Sequence, residues 1–364
     1  MGACQFLLTS SDEMEQNWWY RLKRNKPAVG GGIFLLFGLL MAGFAYLFIP
    51  DNSRDANLQD LRLIALPPGS SVDFLELPQE RQGEEDPWWW LFGKTQVPVR
   101  MALASHRVES DSLRYRAWGD PAELPEQVVA VAEAKVVTEK FWLGTDVLGR
   151  DLLSRLVLGL RVSLGVGFIA VVISLLLGVS LGAIAGYYGG MIDQVVGWLI
   201  NVIWSIPSLL LVIAFSLVMG KGMWQVFLAV GLTMWVDVAR MVRGQILGLR
   251  EQEFVVAARA MGFSDARVIL RHLLPNVVGP IVIMSASNFA TAILVESGLS
   301  FLGLGVQPPT ASLGMMIKEH YPYIIMDAAY LAMVPGLVIL LLVLAFNLFG
   351  NGLSDAFDSK MKIH

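Results

Sequence analysis

Side chains able to do chemistry are few in this chain and poorly spaced for it. Gly93-Lys94-Thr95 has the ending of a phosphate-binding loop, but that loop needs a glycine where Trp88 stands, so no ring of backbone amides can form around a phosphate. His106, His272, His320 and His364 are isolated in sequence and no H-E-x-x-H occurs. The single cysteine, Cys4, supplies neither an internal disulfide nor a cysteine-based zinc site. No nucleophile has a base at a recognisable spacing, so the expectation is no catalytic residue, no metal and no cofactor. Glu296 is the acid that stands out. It lies inside a long apolar run, where a charge at mid-helix facing lipid costs roughly 2.5–3.5 kcal/mol on the insertion scale, so it must face protein or water. It either lines a polar pathway or sits near the helix end and hydrogen-bonds the backbone of residues 301–305; the nearby Gly298, Gly303, Gly305, Pro308 and Pro309 favour the second reading. Asp237 and Arg240, three apart, read as a local ion pair.

The elements that must carry these residues are dictated by composition. Of 364 residues, 55% are hydrophobic and 16% charged, with mean hydropathy +0.58, against about 25% charged in soluble domains. A soluble enzyme and a disordered tail are excluded. Net charge −4 and pI near 5.6 give no basic field for nucleic acid. The first apolar run, 28–49, rises about 33 Å as a helix and spans a hydrocarbon core of about 30 Å. Arg21, Lys23, Arg24 and Lys26 precede it, beside Trp18, Trp19 and Tyr20, placing the N-terminus in the cytoplasm. The run is longer than the apolar core of a signal peptide and no A-x-A site follows it. Translation from Met14 would remove Cys4. Further runs at about 162–186, 194–218, 223–242, 277–303 and 329–350 make six spans with both termini inside. The interval 243–276 then faces the cytoplasm, and Arg240, Arg243, Arg250, Arg259, Arg267 and Arg271 lie in or beside it, whereas the short outer connectors carry only Lys221 and Lys318. The expected layout is therefore an all-α membrane protein of six transmembrane helices. A cytoplasmic segment 1–27 leads into the first span, 28–50; an extracytoplasmic insertion 51–140, a helical core 141–350 and a cytoplasmic tail 351–364 follow. The insertion holds 16 acidic and 10 basic side chains, too polar for lipid, and reads as loops with one short helix near 123–137. Its Trp88-Trp89-Trp90 cluster is expected to rest on the membrane interface or on its own loop rather than to bind a ligand.

Gly178, Gly182 and Gly186 recur every four residues and give one smooth stripe where another helix can approach closely. The interval 251–275 is too polar to span and too poor in turn residues to be a loop, so it should form two short helices. Gly262 suits the left-handed position that ends the first, Ser264 the N-cap of the second with Asp265 in its first turn, and Pro275 the break into the fifth span. Ala257, Ala258 and Ala260 alternate with Phe254, Met261 and Phe263, a low-profile helix with apolar knobs that fits a partner's groove or lies on the inner leaflet.

Glu253-x3-Ala257-Ala258-x3-Gly262, followed by Ile269 and Leu274-Pro275, resembles the EAA loop of ABC-importer permeases. LGTDVLGRDLLSRLVLGLRVSLGVG (143–167), SIPSLLL (205–211), ARMVRGQIL (239–247), ESGLSFLGLGVQPPTASLGMM (296–316) and NLFGNGLSDAFD (347–358) extend the likeness to the dipeptide/oligopeptide permeases of the second, "C", type over about 141–358. The resemblance implies the MetI-like permease fold and no enzyme activity in this chain. It implies two partner ATPases, a homologous "B"-type permease and an extracytoplasmic solute-binding protein, all at the inner membrane. It also implies that Glu253, Phe254, Ala257, Ala258, Gly262, Ile269, Leu274 and Pro275 form the element that couples to the ATPase. Val256 departs from the pattern, standing where the family usually has an acid, and Asn201 stands where many relatives have Asp. Peptides are the expected cargo; nickel chelates and glutathione are handled by relatives with the same motifs. An ion-coupled secondary transporter is the competing class, and Glu296 is its one candidate for coupling.

Overall fold

A computed structural model describes residues 18–77, 87–95, 98–109, 112–121, 123–130, 135–220 and 222–357. Cys4, Met14, Lys221 and residues 358–364 of the tail lie outside them. Among the described residues, five helices are long and apolar enough to cross a membrane: α1 (Lys26–Gly43), α4 (Leu152–Tyr188), α7 (Met223–Leu249), the run Asp265–Phe301, whose main part is α10 (Leu274–Phe301), and α12 (Tyr330–Phe357). The expected third span is a bent pair, α5 (Gly190–Trp204) and α6 (Ser208–Met219), joined at 90°, which raises the total to six if each bent pair is one span. The bend falls at Pro207, which has no N–H to donate to the preceding turn and disfavours helical backbone at Ile206.

The chain divides into two compact units. One comprises Met1–Phe37, Ser163–Val306 and Val338–His364. Its packing bears out the glycine stripe. A Cβ at Gly178 would sit 2.5 Å from Val238 Cβ, one at Gly182 2.6 Å from the Ala239 carbonyl oxygen, and one at Gly186 2.9 Å from the Arg243 carbonyl oxygen. Gly231 returns the contact from α7, where a Cβ would meet Ile173 at 2.8 Å. Side-chain-free surface on both helices lets α4 and α7 approach backbone to backbone, which in lipid replaces the hydrophobic drive that water would supply.

The second unit comprises Gly38–Val162 and Gln307–Leu337. Here the expectation of loops and a helix near 123–137 is wrong, and the chain is not all α. Residues 70–141 contain a five-stranded antiparallel sheet in the order β4-β3-β2-β1-β5, with β1 Ser70–Leu77, β2 Val99–Glu109, β3 Ser112–Ala117, β4 Gln127–Ala130 and β5 Lys135–Phe141. Val72, Phe74, Ala102 and Phe141 form one buried cluster with Leu63, while Leu75, Leu103 and Leu113 form another. One short helix, α2 (Ala45–Phe48), precedes it in sequence, and another, α3 (Trp89–Phe92), falls between β1 and β2. In the Trp cluster, the Trp88 and Trp90 ring centroids lie 6.3 Å apart and Lys94 sits over the Trp89 ring at 5.0 Å, while Trp90 also stacks on Phe44 outside the insertion, with ring centroids 6.1 Å apart.

Candidate functional site

The interval 251–275 folds as a hairpin. α8 (Glu253–Ala260) ends as the sequence predicts: Gly262 adopts φ +79°, its N–H bonds to the Arg259 carbonyl at 2.9 Å, and the Phe263 N–H reaches the Ala258 carbonyl at 3.2 Å. α9 (Asp265–Val268) begins after Ser264, whose backbone takes the extended N-cap conformation but whose hydroxyl makes no capping bond. The expected break at Pro275 is not there. A π-turn over Ile269–Leu273 connects α9 to α10, and the Leu274 N–H bonds to the Ile269 carbonyl five residues back. Pro275 then falls in the first turn of α10, where its missing N–H leaves no bond unmade.

The hairpin is held to the membrane helices by Tyr187, a residue that no sequence pattern singled out. Its hydroxyl donates to Asp265 at 2.6 Å, and the Arg259 guanidinium lies over its ring at 4.6 Å. Beneath it, Val255, Ala258, Val268 and Leu273 join Ala183, Val238, Val242 and Ile246 in one core, with Ile269 and Leu274 packed at its edge. Nearby, Arg243 makes a bidentate pair with Asp193, in which its Nη2 lies 2.7 Å from Oδ2.

These contacts sort the residues expected to couple to an ATPase. Glu253, Phe254, Ala257 and Gly262 lie on the exposed side with Met261, which is 66% exposed, and Val256, which is 55% exposed. Pro275 is also exposed. Ala258 is not available to a partner: at 1% exposure its methyl seats α8 on the core. Ile269 and Leu274 likewise belong to the seat rather than to the outer face.

Glu296 is fully buried, and its carboxylate accepts from the Ser163 hydroxyl at 3.0 Å and the Ser300 hydroxyl at 2.8 Å. Ser300 Oγ in turn accepts from the Val306 N–H at 3.2 Å. The carboxylate thus reaches the backbone just beyond the 301–305 turn through the Ser300 hydroxyl. Asp237 and Arg240 do not pair among the described residues; Arg240 lies over the Trp204 ring at 3.7 Å instead. Both line a cavity of about 700 Å³ between α6, α7 and α10.

In the unit that carries the sheet, the segment 143–155 forms a buried ion network. Asp146 accepts from Arg150 Nε at 2.6 Å, Arg150 Nη2 reaches Glu319 at 2.8 Å, and Arg155 approaches both acids at 3.8 and 3.9 Å. Gly149, at φ +72°, fits because a Cβ would lie 1.9 Å from the Asp60 carbonyl oxygen. His320, isolated in sequence, is brought to this cluster at the end of α11 (Leu313–His320): one atom each from Asp146, Glu319 and His320 lies within 4.8 Å of the others. The set has the donor types of a metal site, but two guanidinium groups already neutralise both carboxylates, so an ion-pair network is the better description.

The family described as the inner membrane component of binding-protein-dependent transport systems matches residues 178–363, and the N-terminal transmembrane domain of oligopeptide transport permease C matches residues 15–68. The dipeptide transport system permease protein DppC of Alkalihalophilus pseudofirmus is 42% identical over 61% of this chain and 72% of its own. DppC of Lactococcus lactis is 32% identical over 95% of this chain and 90% of its own, and the glutathione transport system permease protein GsiD of Pectobacterium atrosepticum is 41% identical over 61% and 73%. An inward-facing structure of the MetNI methionine ABC transporter aligns with 54% of this chain and 93% of its own at 21% identity and TM-score 0.45. With both ends of the sequence matched and one relative aligned almost end to end, the chain belongs to the family of inner membrane permease components of binding-protein-dependent transport systems.

Proposed function

We propose that this chain is one of two permease subunits of an ATP-driven peptide importer and that it does no chemistry itself. The observation that carries the proposal is the two-sided α8: Val255 and Ala258 are sunk in the core while Phe254, Val256, Ala257 and Met261 are presented outward, rigidly aimed by Tyr187 and Gly262. A partner ATPase closing on ATP moves that face, and the common core of α8, α4 and α7 transmits the movement to the membrane helices. A homologous permease completes the pathway, a second ATPase serves that permease, and an external solute-binding protein delivers cargo. Both termini and the hairpin face the cytoplasm. Peptide cargo follows from the relatives, and glutathione, named for one of them, is itself a tripeptide. The serine-bound Glu296 gives no support to ion coupling.

Membrane vesicles carrying the chain with its neighbouring transport subunits test the proposal. Uptake of a labelled dipeptide should require ATP and be blocked by vanadate. Uptake that survives ATP depletion and collapses with the proton gradient would overturn it.

A further inference from the structure

We infer that the cavity between α6, α7 and α10 is a peptide-binding site in which Asp237 receives the cargo's ammonium group and Arg240 its carboxylate. The inference rests on the reading of the chain as a peptide importer. Asp237 and Arg240 lie in the second half of the 27-residue α7, towards the inner end of the apolar run 223–242, where ionisable groups are retained only if they meet a partner or water. They are three apart and yet unpaired with each other among the described residues. Arg240 is drawn off to Trp204, which leaves a carboxylate and a guanidinium at separate points of one cavity.

A third group points to a ligand independently. Asn288, midway along α10 and 8% exposed, lines the same cavity, and its side-chain nitrogen has no hydrogen-bond partner. A donor in that position suits a peptide carbonyl. The remaining wall includes Met234, Met241 and Met284, whose flexible, polarisable chains accommodate side chains of varied shape. A volume of about 700 Å³ lies within the range of about 300–1,000 Å³ of small-molecule sites. One negative and one positive group match a zwitterion, whereas a simple cation or anion would leave one of them unanswered.

Ser287 lines the cavity and is exposed, so a Ser287→Cys variant in a Cys4→Ser background reports occupancy by its rate of thiol labelling in membranes holding the assembled importer. Alanyl-alanine should slow labelling, while N-acetyl-alanyl-alanine amide should not. Asp237→Asn, added to the reporter, should raise the half-protecting concentration of alanyl-alanine about tenfold, as loss of one charge-assisted bond implies. Asp237→Glu should restore most of it. Equal protection by the capped peptide, or no shift in Asp237→Asn at normal membrane abundance, would overturn the site. If the same membranes import alanyl-alanine with ATP but show no protection, the site fails and the importer reading stands. If the wild-type importer moves no peptide, the importer reading itself fails.

Discussion

Three residues make the physical demands of this fold concrete. Gly182 has no room for a side chain, since a Cβ would meet the Ala239 carbonyl oxygen at 2.6 Å and its Cα at 3.1 Å. Gly182→Leu should therefore lower the thermal stability of the purified complex by roughly 1–3 kcal/mol. Gly244→Ala, where nothing lies within 4 Å, should leave it unchanged. Gly262 is the reverse case: a Cβ there meets nothing within 4 Å, but φ is +79°. Gly262→Val should lose transport and cargo-stimulated ATP hydrolysis through strain of about 1–3 kcal/mol, with normal insertion, while Gly262→Asn keeps both because Asn tolerates that conformation. His320 is fully buried, and burial pulls its imidazole below the ordinary value of 6.5. The unfolded chain therefore binds the proton more readily, so stability is full above pH 6.5 and is lost as pH falls below it. Thermal unfolding followed from pH 7.5 to 5.5 should show this loss, and His320→Gln should flatten it. Asp151, whose carboxyl burial pushes up from 3.8, contributes with the opposite sign, its destabilisation growing as pH rises above 3.8. The glycines were legible because spacing and turn position reveal them. The cluster around His320 was not, because Asp146 and Glu319 are far apart in sequence and meet only through tertiary packing.

At the level of elements, the membrane helices were legible and the sheet was not. Apolar runs long enough to span leave little choice of structure, since each backbone group must be satisfied within its own segment. The segment 127–141 was misread because Ala and Glu favour a helix, although Val136-Val137-Thr138 carried the β-branched signature of β5. Adjacent Phe74 and Leu75 are both buried, one on each face of β1, so the alternation that marks a half-buried strand is broken. The hairpin's two helices were anticipated; its anchor was not, because Tyr187 ends a span and looks like an ordinary interfacial aromatic. Tyr187→Phe deletes the 2.6 Å bond to Asp265 while keeping the ring under Arg259. It should cost about 1 kcal/mol of hairpin anchoring. The expected result is faster proteolysis at 251–265 and weaker stimulation of ATP hydrolysis by cargo, with basal hydrolysis unaltered.

As a whole molecule, the chain is proposed to act as a transmission element: its helical unit joins α4, α7 and α8 in one core, presents one exposed helix face and borders a largely apolar cavity that carries Asp237, Arg240 and Asn288. In the proposed importer the energy comes from a partner subunit, so the function of this chain depends on what grips α8. Placing a single cysteine at Met261 in a Cys4→Ser background, and cross-linking it in intact membranes, asks that question directly. The expected product is a covalent adduct between this chain and an ATPase subunit, with a yield that changes when ATP or vanadate is added. Labelling of that cysteine by an impermeant reagent from outside the cell, or a full set of subunits with no ATPase adduct, would contradict it.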